Sequence, residues 1–290
     1  MKVKLIIVLA GLISVLSSCD QANTAGTGAH SGEPLGQSLD ILPIYNAQKI
    51  SCQQRLMINH KTWQINTLRF FISDIQGQTL NNKWQQLPLA TTPFQTLSTA
   101  LIGSDCQFSA SSHANNDEQD NWQLRFDSRV DLAKFKALSF KLGVGFADNH
   151  ANPLLQPAPL NDSSMFWVWR TGHKFMRIEM MEQAADSDNV EPQHWVYHLG
   201  SVGCSSPSTM RSPTSACRFP NLATITLPLA NKAQPPILAF NLSALLSGIT
   251  PNAVENCQSE PDNIHCQQLW QNITNTETKG TGLFYWADNS

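Results

Sequence analysis

Eight histidines, seven cysteines and eight tryptophans carry most of the chemistry available to this 290-residue chain. Imidazole nitrogen and cysteine sulfur are ligands for borderline and soft metal ions, and indole is the most easily oxidised side chain after sulfur and the tyrosine phenol. His150 lies in the proline-rich loop Asp148–Asn161 (DNHANPLLQPAPLN), and His198 lies just before Gly200 and Cys204. Both could converge at one end of a sheet, either as metal ligands or as donors that order a loop. His60 precedes the segment around Trp63 and is a possible third ligand. His194 and His198 are four apart, about 13 Å along a strand, too far to share one ion without a bend. His173 follows Gly172 in an expected turn and is assigned to the surface. His30 and His113 sit in polar, loop-like stretches. Met180 and Met181 are adjacent, so at most one faces a given site, and core packing suits them better.

Trp167 and Trp169 stand two residues apart in Met165-Phe166-Trp167-Val168-Trp169. On a strand, residues i and i+2 share a face, so the two indoles are expected side by side, as core filler or as redox-active groups. Trp195 adjoins His198 and is the next candidate for oxidation.

The elements needed to position these groups are strands. Thr62–Ile75 is β-branched and aromatic, Trp122–Phe126 and His194–Gly200 alternate, Phe166–Met181 reads as a long strand or a hairpin, and Phe135–Phe146, Leu222–Leu229, Ile237–Leu242 and Gly282–Trp286 have strand character. Asn256–Ile273 holds the one helix, because Cys266, Leu269, Trp270 and Ile273 follow helical spacing. Many short strands separated by Pro/Gly/Asn turns imply an all-β fold: a β-sandwich with long loops and one short helix near the C-terminus.

The first residues have the form of an export signal over residues 1–18: Lys2 and Lys4, then the apolar run Leu5–Leu16, too short for a membrane span. The run ends in Leu16-Ser17-Ser18-Cys19, which resembles a bacterial lipobox with Cys19 as the acylated first residue of the mature chain. Asp20 resembles the retention signal for the inner membrane; the cell surface is the other destination. Residues 19–40, rich in Ala, Gly, Thr, Ser and Gln, are expected to be a flexible tether, and residues 41–290 a folded domain. Excluding Cys19 leaves six cysteines, an even number in an exported chain, which implies disulfide stabilisation. Fifteen pairings are possible; proximity favours Cys204–Cys217 and Cys257–Cys266, leaving Cys52–Cys106. No Cys-x-x-Cys is present, so a zinc–thiolate site is not expected.

Net charge is −3 and charged residues make up 14% of the chain, without a basic stripe, so nucleic acid is excluded as a partner. The chain lacks a Gly-x-Ser-x-Gly elbow and His-Glu-x-x-His. Gly143-Val144-Gly145 lacks the third glycine of a dinucleotide loop, and the acidic residues suggest no glycosidase pair. A binding protein, not an enzyme, is expected.

Taken in order, Arg69-Phe70-Phe71-Ile72-Ser73-Asp74-Ile75, Asn149-His150-Ala151-Asn152-Pro153-Leu154, the Trp167-Val168-Trp169 segment, Lys174-Phe175-Met176-Arg177-Ile178-Glu179 and His198-Leu199-Gly200-Ser201-Val202-Gly203-Cys204, with Cys217, Cys257 and Cys266 after them, resemble the MbnP-like copper-binding proteins, an exported four-cysteine family with a W-x-W motif. Cys52 and Cys106 lie outside that pattern and are treated as an additional bridge. The resemblance implies a periplasmic or surface β-sandwich that binds one copper ion, with His150 and His198, and His60 as a third, as candidate ligands. It also implies a partner, a di-haem enzyme related to bacterial cytochrome c peroxidases, that oxidises a tryptophan to kynurenine. The competing reading is a carbohydrate- or partner-binding sandwich without metal, in which exposed indoles stack on sugar rings.

Overall fold

The structure is a computed structural model; it describes residues 36–52, 54–106, 120–167, 172–183, 192–207, 211–229, 236–275 and 282–287. Its described strands are β1 (Ser38–Tyr45), β2 (Gln48–Lys49), β3 (Arg55–Ile58), β4 (Lys61–Thr79), β5 (Trp84–Gln86), β6 (Thr99–Asp105), β7 (Gln123–Arg125), β8 (Phe135–Leu142), β9 (Lys174–Glu182), β10 (His194–Gly200), β11 (Ala223–Pro228), β12 (Ile237–Asn241) and β13 (Phe284–Ala287). The helix Ile264–Thr274 and two four-residue helical turns, Phe146–Asn149 and Leu242–Leu245, complete the regular structure apart from short 3-10 turns. The fold is all-β and sandwich-like, as the strand pattern implied.

A smaller sheet runs β13-β12-β1-β2, with β7 also on β1, and a larger one runs β10-β9-β4-β8-β11. Phenylalanines join the two. Phe70 of β4 stacks on Phe240 of β12 at 4.8 Å and meets Phe284 of β13 edge-on at 5.7 Å, while Phe140 of β8 meets Phe284 at 5.2 Å. Such pairs contribute about 0.5–1.5 kcal/mol each beyond their burial.

β4 organises the larger sheet. β6 occupies one of its edges from Thr67 to Ser73, and β3 and β5 pair with it before and after that stretch. The other edge is shared end to end: β9 pairs with Trp63–Phe70, and β8 with Ile72–Thr79. Where the two partners meet, the Gly143 N–H donates to the Phe71 carbonyl at 2.8 Å. The sheet therefore forks at Phe71, into β9–β10 on one branch and β8–β11 on the other.

All six described cysteines are paired, as Cys52–Cys106, Cys204–Cys217 and Cys257–Cys266. Loops of 54, 13 and 9 residues correspond to roughly 4, 3 and 2.6 kcal/mol in the chain-entropy account.

Several elements differ from their sequence-based boundaries. β1 begins at Ser38, inside the expected tether, and Leu39 is fully buried. β6 was not anticipated. The C-terminal helix starts at Ile264, not Asn256: Asn263 caps it by accepting from the His265 and Cys266 amides. The residues before it pair with β10 instead, through His198 N–H to Cys257 O at 2.8 Å and Cys257 N–H to Val196 O at 2.9 Å.

Candidate metal centre

The connection between β8 and β9 carries the candidate residues and folds over the outer face of the larger sheet. Asn152 and Asp162 each cap a 3-10 turn in it by accepting a backbone N–H. Long-range bonds pin it down. Asp162 pairs with Arg69 of β4 at 2.7 Å, and Lys174 Nζ donates to the Ser164 carbonyl at 3.0 Å. Burial raises the Asp162 carboxyl, but the Arg69 charge and the bonds from Ser164 outweigh it and hold the group below the ordinary range.

His173, assigned to the surface from its turn-like sequence, is instead 1% exposed. Its ring packs edge-on against Phe71 at 5.6 Å. Nε2 lies 2.8 Å from the Leu160 carbonyl and Nδ1 lies 3.3 Å from the Asn149 carbonyl. Burial pushes this imidazole down despite both carbonyls, so it is neutral at pH 7 and donates from Nε2 at the shorter distance. It bolts the loop to the fork of the sheet.

Asn149 then sets the state of His150. The His173 backbone N–H can only donate, and it meets Asn149 Oδ1 at 2.6 Å. That fixes the amide orientation. Asn149 Nδ2, a pure donor, therefore faces His150 Nε2 at 3.2 Å. Nε2 must accept, so it carries the ring lone pair and Nδ1 carries the proton. The same nitrogen lies 3.3 Å from Cys217 Sγ and 3.9 Å from Cys204 Sγ. His150 is 2% exposed. Phe146 packs edge-on against its ring at 4.8 Å, and the Ser212 hydroxyl donates to its carbonyl.

His198 is held differently. It lies on β10, with Trp195, Tyr197 and Leu199 in the core and its own ring on the outer face. Its Nε2–H donates to Glu179 Oε1 at 2.8 Å, and Arg177 grips the same carboxylate through Nε and Nη2 at 2.8 and 2.9 Å. Asp105 lies 3.7 Å from Arg177. Burial alone raises Glu179, but the bonds from His198 and Arg177 and their charges bring it down to about 2. Burial pushes His198 down against the pull of Glu179. At pH 7 the pair is thus a carboxylate and a neutral imidazole. The His198 lone pair sits on Nδ1, which is buried and has no hydrogen-bond partner among the described residues. A carboxylate behind an imidazole is the usual support of a metal-ligating histidine.

Trp167 lies between these groups in the chain's path over the sheet. A Cβ on Gly200 would come within 2.6 Å of its indole and 2.7 Å of the His173 carbonyl, so Trp167 covers β10 at a position where only hydrogen fits. His198 is two residues away on the same face of the strand. The long strand or hairpin expected over Phe166–Met181 takes the hairpin form at its described ends: the strand begins at Lys174, and before it Phe166 bridges His173 in antiparallel sense and the Trp167 N–H bonds to the Gly172 carbonyl at 3.2 Å. Gly172 has φ +91°, and Asn149 fills the space a side chain would need. Trp169 lies outside the described residues, as do Cys19, His30 and His113.

His60 is placed elsewhere. It occupies the exposed β3–β4 turn with φ +65°, about 33 Å of strand from the fork at Phe71. His194 is exposed at the start of β10. Met180 is fully buried and Met181 is 39% exposed. Asn149, His173 and Glu179 had no role in the sequence-based site, although the Asn-His dipeptide already signalled an amide beside His150.

A forked all-β sandwich whose larger sheet is capped by the β8–β9 connection defines the class of fold. The chain belongs to the MbnP family, whose model matches residues 36–263. The solved structure of MbnP from Methylosinus trichosporium is similar in fold, with a TM-score of 0.66 at 17% identity, covering 89% of this chain and 99% of that one. A search of curated proteins finds no match to it.

Proposed function

We propose that this protein binds copper outside the cytoplasm, in copper acquisition or handling, and acts as a binder instead of a catalyst. The observation that carries the reading is His198: its buried Nδ1 has no hydrogen-bond partner among the described residues while Glu179 holds its Nε2, the form of imidazole that binds copper. His150, buried with Nε2 accepting a bond from Asn149 that copper would displace, is the second ligand. The exposed turn around His60 argues against it as a third. The lipobox-like Leu16-Ser17-Ser18-Cys19 and Asp20 support acylation at Cys19 and a location on the periplasmic side of the inner membrane or at the cell surface, and family membership supports a di-haem partner that converts a tryptophan to kynurenine. Trp167, half-buried over Gly200 beside His198, and its neighbour Trp169 are the candidates. Leu154 and Leu155, 85% and 83% exposed on the His150 loop, offer that partner an apolar contact. A sugar-binding surface lacks support, because Trp84 is the one exposed indole among the described residues.

The test is an anaerobic Cu(I) titration of the oxidised protein against a bathocuproine competitor. One equivalent should bind, and His150→Ala and His198→Ala should each abolish retention. Undiminished binding in both variants would refute the assignment. Peptide mass spectrometry after exposure to the di-haem partner should show kynurenine at Trp167 or Trp169; unmodified tryptophans would end the redox half.

A further inference from the structure

We infer that the Cys204–Cys217 disulfide is a redox gate on the His150 site, and that its reduction turns one imidazole into a sulfur-rich site for Cu(I). This rests on the reading of His150 Nε2 as a ligand atom. That nitrogen and the two sulfurs all lie within 4.8 Å of one another, so one ion can reach all three after small side-chain rotations. Two thiolates and an imidazole form a soft donor set of the kind that Cu(I) takes.

The backbone keeps the sulfurs in place without the covalent bond. Just outside the loop that the bridge closes, Val202 N–H donates to Phe219 O at 2.9 Å, Phe219 N–H to Val202 O at 3.0 Å and Arg218 N–H to Gly203 O at 3.1 Å. This short ladder holds Cys204 and Cys217 opposite each other. Ser212, within the closed loop, holds the His150 carbonyl, and Asn149 holds its ring. Cys204 is half-buried, so an external thiolate can reach it, while Cys217 is 6% exposed.

The step balances as thiol–disulfide exchange. A dithiol attacks Cys204, the Cys204–Cys217 bond breaks through a mixed disulfide, and the dithiol closes to its own disulfide after giving two electrons. Two thiols result. Cu(I) binding then displaces their two protons, and His150 Nε2 supplies the third donor without losing one. The second cluster, Cys257, Glu260 and Cys266, does not provide an equivalent. Its sulfurs are 0% and 7% exposed, and its third donor is a hard carboxylate.

The experiment uses the mature chain, reduced anaerobically with dithiothreitol and freed of it by gel filtration. Cu(I) is supplied from its bathocuproine complex. Iodoacetamide labelling read by peptide mass spectrometry should find Cys204 and Cys217 alkylated without Cu(I) and protected with it. X-ray absorption should show sulfur in the copper shell. Apparent affinity should rise at least tenfold (order ~10) over the oxidised chain. A Cys204→Ser/Cys217→Ser chain, checked for native circular dichroism, lacks both bridge and thiolates and should bind like the oxidised protein. Labelling unaffected by Cu(I), or a gain in affinity in the serine variant, would overturn the gate. Failure of the oxidised chain to bind copper, with protection still seen on reduction, would refute the proposed function but leave the gate standing.

Discussion

His150 and His198 are both buried neutral imidazoles on the outer side of one sheet, yet they are held by opposite means. Asn149 and a disulfide lie against the first. A carboxylate gripped by an arginine backs the second. In the first, a hydrogen bond from the His173 backbone amide, relayed through Asn149, settles which nitrogen accepts. In the second, a charge does so. A neutral relay can be removed at small cost to the fold, whereas a buried charge relay is part of the fold.

The largest test of that contrast is Arg177→Met. It strands Glu179 and Asp105 in a buried setting, and should cost about 3–5 kcal/mol in denaturant unfolding. A loss under ~1 kcal/mol would show that His198 is no more embedded than His150. Acid gives the next effect. Glu179 sits at about 2 in the folded chain against 4.5 ordinarily, so its contribution is complete above pH ~4.5 and disappears as pH falls through ~2, to a total on the order of 3 kcal/mol. His173 and His198 are both lowered by burial; the unfolded chain protonates first, so stability already declines as pH falls through ~6.5. In Glu179→Gln the step below pH ~4.5 should flatten in acid melts; an unchanged profile would remove Glu179 from the account.

Asn149→Ala sharpens the other side of the comparison. Asn149 Nδ2 donates into the lone pair that copper would take, so the variant should bind Cu(I) as tightly or more tightly, at about 1–3 kcal/mol of stability from the unsatisfied His173 amide. Weaker Cu(I) binding in the variant would mean that Asn149 instead holds the ring in place for the ion. The smallest change is Gly200→Ala, which forces Trp167 off β10 and should cost about 1–3 kcal/mol by overpacking. Its indole fluorescence should shift to the red; a wild-type spectrum would place Trp167 elsewhere.

The sheet was legible where burial is one-sided. His194–Gly200 alternates and became β10 without adjustment. Thr99–Asp105 was not, because all seven of its residues are buried, and a short apolar run without alternation carries no period. Ser38–Asp40 was hidden by the small polar composition around it. Phe166–Met181 reads as a long strand or a hairpin, and the antiparallel bridge between Phe166 and His173 fits the hairpin. His150 could be nominated from its turn-rich loop. Its amide relay could not, because the bond that orients Asn149 comes from His173, 24 residues on. The Glu179–His198 pair likewise depends on the register between β9 and β10.

The fork at Phe71 has a kinetic consequence. β4 bonds to β3, β5 and β6 on one side and to β8 and β9 on the other, so most of the larger sheet assembles on a single strand from distant parts of the chain. Such topology makes folding slow and makes β4 amides the last to exchange with solvent. The loop that covers His150 hangs on a few side-chain bonds and belongs to the low-free-energy end of the opening spectrum. The cap over His150 can therefore breathe on its own schedule while the spine beneath it stays closed.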